Sequence, residues 1–374
     1  MAKQSASLAR KTAAPAAKQQ RAATMAEIAR LCGTTKMTVS RVFAGRPGVG
    51  EELRQKILQA GQNLHYEVNQ QARNFGANRA GFVGIATPFE GLLGSCYFQR
   101  VVEGLNYGLR SEPQDLALFD MLSASFEDGA KLERLWRQRK VDGLVILAPH
   151  TTDHFMRPLT DSGVPLVVVG EHPNDEAIAS IMGNDGMGIR LAVDHLVELG
   201  HRRIAFVGGP ADLSSATRRR ESFVETMKGH GLKAGPDLIG EGDYTMHSGR
   251  VAGGRLLAHA KRPTAIVAAN DYMAMGVIQS AQELGLRVPR DLSVTGFDDL
   301  PDSADYWPPL TTVHQPIFEI GIQAAQLLLA QMTRGSSASA RTGPLAERQV
   351  MTDVSLIVRK STAAAADPAG KRAR

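Results

Sequence analysis

Two hydrophobic rhythms divide this chain. From Thr24 to Leu64 apolar residues return at steps of three and four, the period of helices with one buried face. From residue 81 onward, short continuous apolar runs alternate with helical stretches. In the first region, TMAEIARLCGTTKMTVSRVF, Thr24 followed by Glu27 forms a capping box, each side chain satisfying a backbone donor at a helix start. Ile28 and Leu31 mark the expected buried face, and Gly33 supplies a left-handed residue to end the helix. Thr34 or Thr35 then caps a second helix, whose Val39, Val42 and Phe43 face inward while Lys36, Met37, Ser40 and Arg41 lie on or near the other side. Leu53, Ile57, Ala60 and Leu64 set out a third helix. Three short helices, the first two joined by a tight turn, predict a helix-turn-helix whose second helix enters a major groove. A small helical bundle for protein contacts has the same pattern.

The second region predicts a different architecture. GFVGIATP, LALFD, VDGLVILAP, VPLVVVG, RIAFVGG, TAIVAAN and LSVTGFDD read as buried strands. FQRVVEGLNYGLR, GIRLAVDHLVELG and MAMGVIQSAQELG read as the helices between them. Such alternation gives an α/β fold, parallel sheets covered by helices on both faces, and about 280 residues suffice for roughly two domains.

Charge separates the same two regions. Residues 1–80 carry 13 Lys and Arg against 4 Asp and Glu, a net of +9, and the remainder carries 30 against 34, a net of −4; together these give the chain's +5. A basic head on a slightly acidic body is the footprint of a phosphate-binding module. Part of the excess lies in residues 1–22, an Ala-, Lys-, Arg- and Gln-rich stretch without a sustained apolar stripe, expected to be disordered and to add non-specific DNA attraction.

TMAEIARLCGTTKMTVSRVFAGRPGVGEELRQKILQAGQNLHY resembles the DNA-binding head of the LacI/GalR family of bacterial repressors, with TVSRV and the later L-x-Y specific to that arrangement. The likeness continues to LIVRKST at 356–362. It implies a dimeric regulator that binds a near-palindromic double-stranded operator and responds to a small sugar or sugar acid. By this resemblance Lys36, Met37 and Arg41 read base edges, Thr24, Thr35, Thr38 and Ser40 hold phosphates, and Met25, Tyr66 and Asn69 complete the interface. The donors of Lys36 and Arg41 suit guanine O6 and N7, whereas Met37 offers apolar contact only. Gly50 stands where the family usually has Ser or Thr at the third helix's cap. Residues 68–79, VNQQARNFGANR, resemble the family's hinge helix. There Phe75 replaces the usual Leu as a minor-groove wedge, Ala72 is small enough for two hinges to approach, and Val68 replaces a usual Pro. A plain linker with an incidental Phe is the alternative.

The resemblance also sets the expected boundaries: tail 1–22, head 23–67, hinge 68–80, core 81–360 and tail 361–374. Within the core, one lobe takes 81–181 and 314–338, the other 182–313 and 339–360, as in a periplasmic sugar-binding protein. Ligand then lies between the lobes at the carboxyl ends of the strands. Arg219, Asn270 and Asp298 match the family's effector positions and Tyr244 an aromatic that stacks on the sugar, while Phe297 borders the expected pocket and Gln315 lies on a crossover, all six being expected to bind effector. A cleft carboxylate suits sugar hydroxyls and the Arg219 fork suits hydroxyls or a carboxylate, while Tyr244 offers a stacking face. Asp271 and Asp299 are read as capping or loop-holding residues, and Phe297 equally as core. Arg218, Arg219 and Arg220 point to different sides of a helix, so the triplet raises the case for an acidic ligand only slightly.

Catalytic readings find no support. His195 and His201 flank a helix end, six apart, rather than sharing one face for a metal. GGPADLSSA and GNDGMG hold neither a P-loop lysine nor a dinucleotide fingerprint, and no Ser sits in a G-x-S-x-G turn. Cys32 and Cys96 fall in separate modules. No cofactor or metal is expected, no run is long enough to span a membrane, and the N-terminus lacks a signal peptide's apolar centre, so a cytoplasmic location is expected. AAAADPAGKRAR, after Thr362, has no apolar heptad and contains Pro368, which predicts a dimer rather than a tetramer. A sugar-binding protein without a DNA role is the alternative function; it fits the core but not the basic head.

Overall fold

The structure is a computed structural model that describes residues 23–67, 79–87, 92–120, 129–150, 155–173, 175–334 and 348–365. The tail 1–22 and the hinge residues Val68, Asn69, Ala72 and Phe75 lie outside the described residues. The described chain forms two compact units, one within 23–67 and one from residue 79 onward.

The first unit is three helices, α1 (Met25–Cys32), α2 (Lys36–Phe43) and α3 (Glu51–Asn63). The capping box is formed: Thr24 N–H donates to Glu27 Oε2 at 2.7 Å, and Glu27 N–H returns to Thr24 Oγ1 at 3.3 Å. Gly33 takes φ 65° and closes α1, and Thr35 caps α2 by accepting from the Thr38 N–H at 3.2 Å. Gly50 precedes α3 without a side-chain cap. Ile28, Ala29, Cys32, Val39, Val42 and Ile57 make the core. Leu31 was expected in this core and is 56% exposed. The small Ala29 and Cys32 carry the buried stripe to the other side of Ile28, and the Cys32 thiol reaches the Lys56 carbonyl of α3 at 3.6 Å. Phe43 meets Tyr66 with ring centroids 5.1 Å apart.

The second unit holds two six-stranded sheets. In the first, β1 (Phe82–Thr87), β2 (Asp115–Asp120), β3 (Gly143–Leu147), β4 (Leu166–Val169), β5 (Ala179–Gly183) and β11 (Gln349–Thr352) run in the order β11-β5-β4-β3-β1-β2, all parallel. In the second, β6 (Ile204–Gly208), β7 (Ile239–Glu241), β8 (Ala265–Ala268), β9 (Ser293–Asp298), β10 (Thr311–His314) and β12 (Ser355–Ile357) run β12-β10-β9-β8-β6-β7, with β12 alone antiparallel. The helices are α4 (Cys96–Gly108), α5 (Ala130–Arg137), α6 (Met156–Asp161), α7 (Asp185–Glu198), α8 (Ser214–Gly229), α9 (Met246–Leu257), α10 (Asp271–Glu283), α11 (Pro301–Asp305) and α12 (Ile317–Arg334). Strands buried on both faces, such as Val145 and Ile146 or Ala205 and Phe206, explain why their runs read as continuous rather than alternating.

Two expected boundaries move. β5 continues to Gly183, opposite Thr352 of β11, so residues 349–352 belong to the first sheet and the last crossing lies between Thr352 and Ser355. The core also does not stop at 360. Ser361 is fully buried, donating to the Val294 carbonyl at 2.6 Å and accepting from the Thr311 N–H at 2.8 Å. His195 Nε2 meets Thr362 Oγ1 at 3.0 Å, and His201 Nε2 lies 3.0 Å from the Ala363 carbonyl. The two histidines therefore fasten this segment to the second lobe. Residues 366–374 lie outside the described residues.

Candidate functional site

A cavity of about 440 Å³ opens between the lobes at the carboxyl ends of the strands. This is the size and place expected of a ligand site in an open parallel sheet. Arg219, Tyr244, Asn270, Asp298 and Gln315 all line it. Phe297 does not: it is fully buried, and the Arg219 guanidinium lies over its ring at 3.7 Å from the centroid. Successive strand residues point to opposite faces, so placing Asp298 in the cleft turns Phe297 into the core.

The local backbone explains how these side chains reach the cavity. At the end of β9, Asp298 takes φ 109° and Asp299 φ 54°, both in the region that disfavours side chains. This double turn sends the two carboxylates apart. Asp298 enters the cleft and accepts from Gln315 Nε2 at 2.7 Å. Asp299 instead accepts from Arg359 Nη2 at 2.7 Å and meets His314 Nδ1 at 3.0 Å. Tyr244, at φ 67°, crosses so close to Gly209 that a Cβ there would lie 2.4 Å from the ring, and its hydroxyl is 3.2 Å from Ser215 Oγ. Asn270 caps α10 through its side-chain oxygen, which accepts from the Met273 N–H at 2.9 Å, and its amide donates to the Tyr244 carbonyl at 3.0 Å.

Asp185, not among the residues expected from the sequence, is central to the site. At the first turn of α7 and 4% exposed, it accepts from Arg219 Nε at 2.7 Å through one oxygen. Its other oxygen accepts from Arg218 Nε at 3.1 Å. A usable signal was present: Asn184-Asp185 repeats the strand-end Asn270-Asp271 pair, an Asn cap followed by a buried acid. Tyr97, Tyr272, Ser215 and Asp243 are further lining residues not foreseen.

Burial dominates the titration of this region. The Asp298 carboxyl is pushed up to about 7, desolvation outweighing the Arg219 guanidinium 3.7 Å away. Asp271 is pushed up to about 8 by burial and by Asp298, despite accepting from the Leu300 N–H at 2.8 Å, from Ser303 Oγ at 2.6 Å and from Thr312 Oγ1. It does not line the cavity; it holds the 300–303 turn behind it. Burial likewise raises the Tyr97 and Tyr244 phenols, so both stay neutral donors.

On the head, Lys36, Met37, Ser40 and Arg41 are exposed together on α2, Met37 by 74%. Thr24 and Thr35 are exposed and already engaged as helix caps, and Thr38 is half-buried beside Thr35 at 3.0 Å between hydroxyls. Tyr66 packs its ring on Phe43, and Met25 packs against the head core, leaving Met25 the backbone N–H of a helix's first turn to offer. Among the described residues no His, Cys, Asp and Glu group could hold a metal, and no helix is long and apolar enough to cross a membrane.

A helix-turn-helix head on a two-lobed binding core defines a class of DNA-binding regulator, and similarity to known proteins narrows it. Residues 24–69 match the family described as bacterial regulatory proteins, lacI family, and residues 193–362 match a periplasmic binding protein-like domain. The HTH-type transcriptional repressor PurR of Klebsiella pneumoniae (strain 342) is 31% identical over 338 residues, 88% of this chain and 97% of that protein. The probable HTH-type transcriptional repressor ExuR of Bacillus subtilis (strain 168) is 29% identical over 309 residues, 82% and 91% of the two chains. Among solved structures, a Lac repressor dimer bound to operator and the anti-inducer ONPF superposes with a TM-score of 0.81 at 28% identity, covering 92% of this chain and all of that one. A complex of the transcriptional regulator CelR with cellobiose gives 0.68 at 28% identity, covering 91% and 99%. This chain belongs to the lacI family of bacterial regulatory proteins.

Proposed function

We propose that this protein is a cytoplasmic, homodimeric repressor that binds a near-palindromic operator through α2 and releases or retains it according to a neutral, hydroxyl-rich effector held between the lobes. The observation that carries the effector class is the state of the cleft's charges. Arg219 is the one cation lining the cavity among the described residues, and it already faces Asp185 and Asp298. Asp243 adds a further carboxylate to the lining. An acidic ligand would bring another negative charge to a wall whose guanidinium is taken. A polyol meets acceptors instead: Asp298 beside Gln315, and the rings of Tyr97, Tyr244 and Tyr272 for its apolar faces. This favours a sugar over a sugar acid.

On the DNA side, we assign base reading to Lys36, Met37 and Arg41, phosphate contacts to Thr24, Met25, Thr35, Thr38, Ser40 and Tyr66, and the operator's centre to the hinge bearing Asn69, Ala72 and Phe75. The effector shifts operator affinity only by binding one lobe arrangement better than the other.

Thermal unfolding of the full-length protein against neutral mono- and disaccharides and the matching uronic acids tests the effector class. A ligand present at about a hundred times its dissociation constant stabilises by about 2.7 kcal/mol. Stabilisation by a neutral sugar, lost in Asp298→Ala and Arg219→Ala while both variants keep parental operator affinity, is the expected result. Stabilisation by uronic acids alone refutes the neutral class. Loss of operator binding with an intact ligand response moves the pocket elsewhere.

A further inference from the structure

The middle arginine's neighbour in the Arg218-Arg219-Arg220 triplet has a task that effector contact does not explain. Arg218 does not line the cavity; it reaches from α8 in the second lobe to the first lobe. Its Nη1 donates to Glu171 Oε2 at 2.8 Å and its Nη2 to the Gly170 carbonyl at 3.0 Å, both just beyond β4 in the first lobe. The same guanidinium holds Asp185 Oδ2 within 3.1 Å, while Asp185 Oδ1 holds Arg219. One carboxylate thus ties the effector arginine to the bridging arginine. A second tie joins the same two lobes. His150, just past β3, meets Asp212 Oδ2 through Nδ1 at 3.0 Å, and its backbone forms an antiparallel bridge with Leu213 ahead of α8.

We propose that Arg218–Glu171, backed by His150–Asp212, is a clasp that holds the two lobes together. The side chains of Arg218 and Glu171 are 27% and 16% exposed, so solvent screens this pair less than an exposed one. The two ends of the clasp differ. When the lobes separate, Arg218 keeps Asp185, within its own lobe, whereas Glu171 loses its partner. Arg218 therefore stays aimed across the cleft, and Glu171 is the half whose removal weakens closure without dismantling the effector wall. A protein clasped more of the time also has a larger share of its molecules in the arrangement that encloses a ligand, which raises apparent affinity in proportion.

The test needs neither effector nor operator, so its outcome is independent of the regulatory reading. Dyes are placed on the full-length protein at Leu118 in the first lobe and Leu284 in the second, both about half exposed, in a background with Cys32→Ala and Cys96→Ser. Energy transfer then gives the distribution of interlobe distances. Glu171→Gln should move it to longer distances, and high salt should move the parent towards the variant. Circular dichroism confirms folding. An unchanged distribution in folded Glu171→Gln overturns the clasp. Should that variant not fold, Asp212→Asn, at a side chain 61% exposed, carries the test in the same way: lengthening supports the clasp and an unchanged distribution overturns it.

Discussion

Single residues divide sharply by how much of their role the chain order discloses. Arg219, Tyr244, Asn270, Asp298 and Gln315 follow strands or lie on a crossover, and in this fold strand ends face the cleft, so their place in the cavity was legible. Of the two readings of Phe297, pocket border and core, the structure bears out the core, since strand alternation turns it away when Asp298 faces the cleft. The Asn184-Asp185 pair marks Asp185 as a buried strand-end acid, but its arginine partners are more than thirty residues away, so its link to Arg218 and Arg219 is not legible in the chain order. Asp271 was rightly read as holding a loop, and it makes a stability prediction. Its folded value, about 8, lies above the ordinary carboxylate value near 4, so between those limits the folded state binds more protons than the unfolded chain. Its contribution is complete below the unfolded value and lost as pH rises through the folded one. Asp298, pushed up to about 7, acts in the same direction. The thermal midpoint should accordingly fall between pH 5 and 8 in urea- or heat-unfolding series, by a smaller amount in Asp271→Asn, whose amide resembles the protonated acid. Asp271→Ala, which strands the Leu300 N–H and the Ser303 and Thr312 hydroxyls, should cost about 1–3 kcal/mol at pH 5 and less as pH rises through the folded value. Equal pH slopes in the parent and Asp271→Asn would remove Asp271 from this account.

Elements were legible where period and length agree, and illegible where a segment is short or takes its structure from a neighbour. The three head helices and the long buried strands were foreseen, while β7, β11 and β12 have only three or four residues each and lie at sheet edges. Nothing in Gln349–Thr352 alone distinguishes pairing with β5 from pairing in the other sheet. In the head, the packing of α3 depends on one position that the sequence pattern passes over. Gly61 faces Phe43, and a Cβ there would lie 2.6 Å from the ring's Cζ. Two effects oppose each other in Gly61→Ala. Helix propensity favours Ala by about 0.8–1.0 kcal/mol. Overpacking typically costs about 1–3 kcal/mol, and the Phe43 ring has little freedom to retreat because Tyr66 packs on it. The clash should win. Amide exchange in α3 should accelerate in Gly61→Ala while exchange in α10 is unchanged, since the two helices belong to separate compact units. Slower exchange in α3 would show that the ring yields and propensity decides.

At the scale of the whole molecule, the division of charge was plain in the sequence and the division of lobes was not. Three chain crossings between lobes, near 184, 315 and 353, mean that each lobe is assembled from separated segments, and no local signal marks the last of them. The charge division, +9 in residues 1–80 and −4 in the rest, carries the final prediction. DNA attracts the head and repels the core, so nearly all operator affinity should reside in residues before the core. Each phosphate neutralised releases condensed counterion and contributes about −0.9 to the slope of log affinity against log salt. A dimer presenting Lys36 and Arg41 twice, with further basic residues around each head, should show a slope of several units. A chain starting at Arg79 keeps the Ala80 and Gly81 N–H groups that anchor the core's first strand to Asp142, at 2.7 Å each, so it should fold. That shortened chain should bind no DNA even at low salt, yet retain the sugar-induced thermal shift of the full-length protein. Fluorescence anisotropy on labelled operator across a salt series, beside thermal unfolding of the same two proteins, measures both halves. A shallow slope in the full-length protein, or operator binding by the shortened one, would place the DNA interface outside the basic head.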